Sequence, residues 1–197
     1  MLCLRDVRIS RASWPVLDGL SLSVNAGEIL LIKGPNGIGK TTLLRTIAGL
    51  QSPDAGTITR PEAGVAYSGH LDGLKTNLSV AENLAFWGAI YGQADITATL
   101  DAFELRALAR RRVGALSAGQ RRRAGLSRLA LSGAPLWVMD EPTTSLDTNG
   151  TLLVMQVLKD HAAKGGAAII ATHLDLDIES QTLVLSPFRA RAQDIPL

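Results

Sequence analysis

The segment GPNGIGKT at positions 34–41 sets three glycines ahead of a lysine and a threonine in the pattern G-x-x-x-x-G-K-[ST]. Each residue type has a physical reason to be there. Gly34, Gly37 and Gly39 let the backbone curl so that successive N–H groups converge on phosphate oxygens. Lys40 has the reach and charge for β- and γ-phosphates, and the Thr41 hydroxyl suits a bound Mg2+. With Pro35, Asn36, Ile38 and the following Thr42, these residues form a candidate cradle for a nucleoside triphosphate. A second group closes the apolar run LWVMDEP, where Asp140 and Glu141 stand side by side. Asp140 is placed to hold Mg2+, directly or through water. Glu141 is then left to orient or deprotonate an attacking water.

These groups need elements that bring them together. EILLIK (28–33) reads as a short apolar strand feeding the glycine turn, and TTLLRTIAGL as the helix after it, stopped by Gly49 and Pro53. The helix N-terminus aims its positive end at the same anion. Alternation over 2–9 and the run Leu20–Val24 predict strands of an opening antiparallel sheet, with short strands near Thr57–Thr59 and Val65–Tyr67. Ser79 with Glu82, and Ser117 with Gln120, have the spacing of capping boxes. The first opens helical spacing to about Ala109 with a break at Tyr91–Gly92, and the second a helix to about Leu131. The strand LWVMD, a helix over about Thr148–Ala163, the strand AAIIAT and the run TLVLS complete the pattern. Strands alternating with helices predict an α/β fold with a parallel sheet, into which the all-helical stretch 79–115 is inserted. In such a sheet, Asp140 opens into the same crevice as the glycine turn. The last ten residues carry no pattern and read as loose.

Composition excludes several classes. Hydrophobic residues make up 46% of the 197 and charged ones 19%, as in a globular chain and unlike a disordered one. A chain of this length buries about 70% of its unfolded surface and needs no disulfide staples. Cys3 is the single cysteine, which fits a reducing compartment and reads as a small apolar side chain. No run approaches the ~18 apolar residues of a membrane span, and Arg5 and Asp6 interrupt the place of a signal peptide's apolar run. The expectation is a cytoplasmic protein unless something docks it elsewhere. Net charge is +2, yet eight of the 20 basic residues (Arg106, Arg110, Arg111, Arg112, Arg121, Arg122, Arg123 and Arg128) fall within 105–128, where no acid intervenes. That cluster reads either as solvated helix faces or as a surface for nucleic acid, anionic lipid or an acidic protein.

LSAGQRRR at 116–123 resembles the LSGGQ signature of the ATP-binding cassette (ABC) ATPases, with Ala118 where the third residue is usually glycine. The glycine turn, DEP at 140–142, SLD at 145–147 and His173 after AAIIAT agree with that family in order and spacing over roughly residues 2–175. The resemblance implies a P-loop NTPase of the ABC type. A RecA-like core with an antiparallel β subdomain would span 1–76 and 132–197, and a helical subdomain carrying the signature would span 77–131. It also implies a head-to-tail homodimer, in which Ser117, Ala118, Gly119 and Gln120 close on the γ-phosphate held by the partner's loop. A helix N-terminus is a physically sound device for that task. In such a dimer Asp147 links the two sites, and His173 contacts the γ-phosphate and the water near Glu141. Arg121–Arg123, directly after the signature, add positive charge at the γ-phosphate end.

Two positions depart from the family pattern. His70 stands where a glutamine usually contacts Mg2+ and signals to the transport subunit; an imidazole can also donate to water or ligate metal. Trp14 is the only aromatic upstream of the glycine turn, and is the candidate for stacking on adenine. With 197 residues there is no room for fused spans, a second cassette or a long coiled-coil insertion. The stretch YSGHLDGLKTNLSVAENLAFW and the compact length resemble the ATP-binding subunits of bacterial cytochrome c biogenesis haem exporters. That resemblance implies ATP hydrolysis driving haem export or release, polytopic membrane partners, and a peripheral place on the cytoplasmic face of the inner membrane. An ATP-binding subunit for another cargo is the alternative. The chain has no C-x-x-C-H, and His161 reads as a surface residue of an amphipathic helix. No direct haem ligation and no nucleic-acid partner are therefore expected.

Overall fold

The computed structural model describes residues 1–12 and 14–190; the end read as loose lies outside the described residues from 191 onward. Among the described residues the strands form two sheets. The antiparallel sheet has the order β2 (Trp14–Val24), β1 (Leu2–Arg11), β4 (Ala55–Thr59). The parallel sheet has the order β5 (Val65–Ser68), β6 (Leu136–Asp140), β7 (Ala167–Ala171), β3 (Ile29–Lys33), β8 (Gln181–Val184). Helices α1 (Lys40–Ile47), α2 (Val80–Tyr91), α3 (Thr97–Ala102), α4 (Ala118–Leu131) and α5 (Thr148–Ala163) connect and cover the strands. The α/β architecture with an opening antiparallel sheet and an inserted helical stretch is the one expected.

The parallel strands are apolar without interruption because both of their faces are covered. Leu30 and Ile32 of β3 pack with Val138, Ile169, Leu43 and Leu44 on the side of the antiparallel sheet and α1. Ile29 and Leu31 pack with Met139, Ile170, Leu126 and Met155 on the side of α4 and α5. Each fully buried Leu or Ile contributes about 1.5–3 kcal/mol, so the sheet is a stiff base for whatever its loops carry.

Two elements differ from the sequence expectation. β2 begins at Trp14, not Leu20, although Pro15 and Gly19 argue against a strand. It is the outer strand of its sheet, so a residue without an N–H is tolerated there. Helical spacing after Ser79 breaks at Tyr91–Gly92 as expected, but beyond the break it does not run on to Ala109 as one regular helix. Gly92 adopts φ 73 and ends α2, with the Gln93 N–H bonded back to the Gly88 carbonyl. A short α3 and a 3-10 turn at Arg106–Leu108 follow. Both capping boxes form as spaced, Ser79 with Glu82 and Ser117 with Gln120.

His161 corrects a third expectation. It is not a plain surface residue but is stacked on Trp137, with ring centroids 3.8 Å apart and planes 11° from parallel. Burial holds the imidazole below its ordinary pKa of 6.5. The fold therefore favours the neutral ring, and this contribution to stability is complete above about pH 6.5 and lost as pH falls toward the lowered value. His161→Phe, which keeps the stacking, should show a smaller drop in Tm between about pH 7 and pH 5 than the parent chain. Equal drops in thermal melts of the two proteins would refute the assignment.

Candidate nucleotide-binding site

Strand order explains how residues far apart in sequence meet. β5, β6, β7 and β3 are consecutive parallel neighbours, so their C-terminal ends share one edge of the sheet. The His70 loop leaves β5, Asp140 and Glu141 end β6, Thr172 and His173 follow β7, and the glycine turn follows β3. A cleft of about 380 Å3 opens there, lined by Asn36, Gly37, Gly39, Lys40, Thr41, Thr42, His70, Asp140 and Glu141, with Arg11 and Val16 on its outer wall. A larger hollow of about 730 Å3 lies at the start of β3. Glu28, Asp177 and Glu179 face Lys159 in its lining, which is unfavourable for phosphate.

The glycine turn is built for a backbone cradle. Gly39 sits at φ 112 as the N-cap of α1, and no side chain caps that helix, so its first amides face the cleft without a side-chain acceptor. A Cβ on Gly39 would stand 2.5 Å from Val16 Cγ1, so glycine is required by contact as well as by dihedral. Ile38 is buried beneath the turn, its side chain 3.1 Å from where a Gly34 Cβ would be. Lys40 is 8% exposed, and its Nζ donates to the carbonyls of Gly34 at 2.7 Å and Pro35 at 3.3 Å. The ammonium is thus tethered by the loop it serves.

Opposite it, Thr41 Oγ1 donates to Asp140 Oδ2 at 2.6 Å, across 99 residues of sequence. His70 Nε2 lies 3.4 Å from the same carboxylate oxygen. A hydroxyl and a carboxylate oxygen side by side at the mouth of a phosphate cradle fit Mg2+, which takes one or two protein oxygens and fills its octahedron with phosphate and water. Glu141 occupies the next position, at φ 48, an uncommon conformation for a non-glycine residue and one seen at functional sites. Its N–H donates to the Ala171 carbonyl at 2.9 Å, and its Oε2 is 3.0 Å from His173 Nδ1. The Glu141 side chain is 13% exposed and that of His173 63%. Glu141 thus lines the cleft, with the more exposed His173 beside it.

The signature turn faces a different hollow, of about 150 Å3, lined by Ala118, Arg121 and Arg122 together with His70, Asp72, Glu141, Thr144 and Ser145. Ser117 Oγ accepts from the Gln120 N–H at 3.2 Å, and Gln120 Oε1 accepts from the Ser117 N–H at 3.1 Å. Ala118 is exposed, so its methyl meets no packing where the family usually has glycine. Gly119 is not exchangeable in that way, since a Cβ there would be 2.9 Å from the Ser145 carbonyl. Asp147 caps α5 by accepting from the Gly150 N–H at 2.7 Å.

The structure does not bring Trp14 to the cleft. It stands 63% exposed at the start of β2, paired with Arg11, and the residues of that hairpin that line the cleft are Arg11 and Val16. No sequence signal marks Val16, because its place depends on β2 folding over the glycine turn. The arginine cluster divides: Arg106 and Arg110–Arg112 are exposed, as solvated residues would be, while others turn to partners within the fold. Arg106 pairs with Asp101, Arg123 bonds the Phe103 carbonyl, and Arg128 lies 4.7 Å above the Trp87 ring. Arg122 points inward and is buried, not directed at an incoming phosphate. Arg110, Arg111 and Arg112 are exposed.

Comparison with known proteins agrees with this geometry. Residues 17–144 match the profile of the ABC transporter family. Over 190 residues the chain is 51% identical to the cytochrome c biogenesis ATP-binding export protein CcmA of Ruegeria pomeroyi, covering 96% of this chain and 93% of that one. It is 50% identical over 192 residues to the protein of the same name from Rhodobacter capsulatus, covering 97% and 90%. Among solved structures, an ABC transporter ATP-binding protein from Pyrococcus furiosus superposes with a TM-score of 0.85 at 26% identity, over 96% of this chain and 99% of that one. A metal-chelate type ABC transporter in an inward-facing conformation gives 0.81 at 26% identity, over 93% and 79%. With its phosphate cradle and paired carboxylates at one edge of the sheet, the chain belongs to the ABC transporter family as an ATPase, and within it to the cytochrome c biogenesis ATP-binding export proteins.

Proposed function

We propose that this chain is the ATP-hydrolysing subunit of a membrane-bound complex that exports or releases haem for cytochrome c maturation. The observation that carries the cargo is the 50–51% identity, over nearly the whole chain, to proteins named for cytochrome c biogenesis export. The chemistry rests on the cleft. The amides of the glycine turn and of the α1 N-terminus hold the phosphates, and Lys40 leaves the Gly34 and Pro35 carbonyls to bind β- and γ-oxygens. Thr41 and Asp140 hold Mg2+, with His70 beside them as a further ligand or a donor to its water. When bound, Mg2+ offsets charge on the β- and γ-phosphate oxygens. Glu141 orients or deprotonates the attacking water, and His173, 3.0 Å from it, holds that carboxylate and meets the γ-phosphate. The base extends along Arg11 and Val16, with Trp14 at the outer edge of the same hairpin.

Two copies act together, head to tail. Of the turn Ser117, Ala118, Gly119 and Gln120, Ala118 lines a hollow that shares His70 and Glu141 with the phosphate cradle but none of the glycine turn, so a second chain is what would carry that turn to the γ-phosphate. Asp147, beside that turn, lies where the two sites would communicate. Among the described residues no helix is long and apolar enough to cross a membrane, so polytopic subunits are proposed as partners. They dock on the helical stretch, where Phe86 and Ile90 of α2 and Arg110–Arg112 are exposed, holding the ATPase on the cytoplasmic side of the inner membrane. Haem stays with those subunits. His70 and His173 flank the cleft and His161 is stacked on Trp137, which leaves each with a task other than axial ligation.

Affinity purification from detergent-solubilised membranes, with a visible spectrum of the eluate, tests this reading. Small polytopic partners and a haem absorption band are expected. Partners of another kind with no haem band would assign the ATPase to a different cargo, and a stoichiometric haem complex of the isolated subunit would overturn the exclusion of direct ligation.

A further inference from the structure

Arg122 lies in the first turns of α4, is 5% exposed, and has a guanidinium turned away from solvent. Its Nε donates to the Pro142 carbonyl at 3.2 Å, and its Nη2 to the carbonyls of Asp140 and Glu141, both at 3.0 Å. Nη1 donates to the Gly69 carbonyl at 2.9 Å and to Asp72 Oδ1 at 3.3 Å. A buried cation is tolerated only when its donors are satisfied, and here one planar fork collects three successive carbonyls at the end of β6. Those carbonyls flank the residue held at φ 48, Glu141. The direction of the Glu141 side chain follows from that backbone conformation. Besides Arg122, the backbone bonds holding it are Glu141 N–H to Ala171 and Thr144 N–H to the Glu141 carbonyl at 3.2 Å.

The same side chain reaches the loop that carries His70. That loop is seated on α4 at close range: a Cβ on Gly125 would stand 2.7 Å from the Asp72 Cβ, and one on Gly73 would stand 2.7 Å from the Arg128 guanidinium. The helix that begins at the Ser117–Gln120 turn, the His70 loop and the Glu141 backbone therefore meet at one guanidinium.

We infer that Arg122 is a positioning residue for ATP hydrolysis: it fixes the backbone that aims Glu141 and ties that backbone to the helix bearing the signature turn. A shift of the α4 N-terminus, as when it engages a nucleotide, then alters the aim of Glu141 in the same chain. The inference rests on the role proposed for Glu141. Lysine keeps the charge, but a single ammonium cannot span the Asp140, Glu141 and Pro142 carbonyls as the fork does. Misplacing a reacting group by about 1 Å can cost about 100-fold in rate, which sets the scale of the effect.

The test compares the full chain with Arg122→Lys, Arg122→Met and Glu141→Gln. Steady-state hydrolysis gives kcat and KM, and titration with a fluorescent ATP analogue gives the number of sites per chain and the Kd. A fall in kcat of about 10-fold for Arg122→Lys and about 100-fold for Arg122→Met is expected, with site number unchanged and Kd within about 2-fold. A merely structural role would lower site number and kcat together, and that result overturns the inference. Should Arg122→Met fail to fold, Arg122→Lys decides: a folded Arg122→Lys with parental kcat refutes it. If Glu141→Gln is inactive while the Arg122 variants turn over normally, only the role of Arg122 falls. Should Glu141→Gln itself retain turnover, the role of Glu141 falls and that of Arg122 with it.

Discussion

Glu141→Gln will lower ATP turnover about 1000-fold while ATP still binds. The substitution preserves size and hydrogen-bonding reach but removes the oxygen that can accept a proton, so it separates water activation from geometry. Glu141 is positioned for that task by three features. Its side chain is 13% exposed, its backbone is locked at φ 48 by the Ala171 carbonyl, and its Oε2 has His173 Nδ1 3.0 Å away. The groups proposed to hold most of the triphosphate (the α1 amides, Lys40 and Thr41) lie on a different segment, and the substitution leaves His173 in place. Kd for ATP should therefore stay within about 2-fold of the parent value, and with hydrolysis blocked, ATP should shift the chain to a dimer in size-exclusion chromatography. Turnover above roughly a tenth of the parent rate would show that another group handles the water.

Lys40→Ala will act on binding as well as on rate. Lys40 is 8% exposed and its Nζ is kept at the glycine turn by the Gly34 and Pro35 carbonyls, so the cation has only to exchange those carbonyls for phosphate oxygens. Removing a preorganised charge from such a site costs about 100-fold or more in kcat. A ligand that binds only the folded state stabilises it by about 2.7 kcal/mol at a hundred times its Kd, and raises Tm accordingly. For Lys40→Ala the Tm without nucleotide should stay close to that of the parent, while the rise on adding ATP is largely lost. A thermal melt that keeps the full ATP-dependent rise would remove Lys40 from the phosphate site.

The motifs were legible because they are local. A glycine turn between an apolar strand and a helix, or a serine three residues before a glutamine, signals itself within ten residues of chain. The ends of β6 and β7 read correctly for the same reason, as short apolar runs bounded by polar residues. Trp14 read as a partner for the base because it was the only upstream aromatic. The fold instead leaves it on the outer edge of β2 and turns Val16 toward Gly39. Arg122 read as one of a run of basic residues. Its inward direction is set by the carbonyls of Asp140, Glu141 and Pro142, which the sequence places about 20 positions away. His161 carried no mark of its stacking partner, because Trp137 lies on a strand rather than on its own helix.

What the sequence determined by itself was the chemistry available: a phosphate cradle, a hydroxyl and two carboxylates for a metal and a water, and a capped helix with the family signature. Strand and helix periodicity, set by backbone geometry and by which side chains prefer to leave water, was enough to put each on the right kind of element. Which of them act together is settled by how the strands pack. Thr41 meets Asp140, and His173 meets Glu141, because β3, β7 and β6 are neighbours in one parallel sheet, an order imposed by packing both faces of the strands. Contacts of a few ångströms between residues far apart in the chain depend on that closure as a whole, and no local preference encodes them.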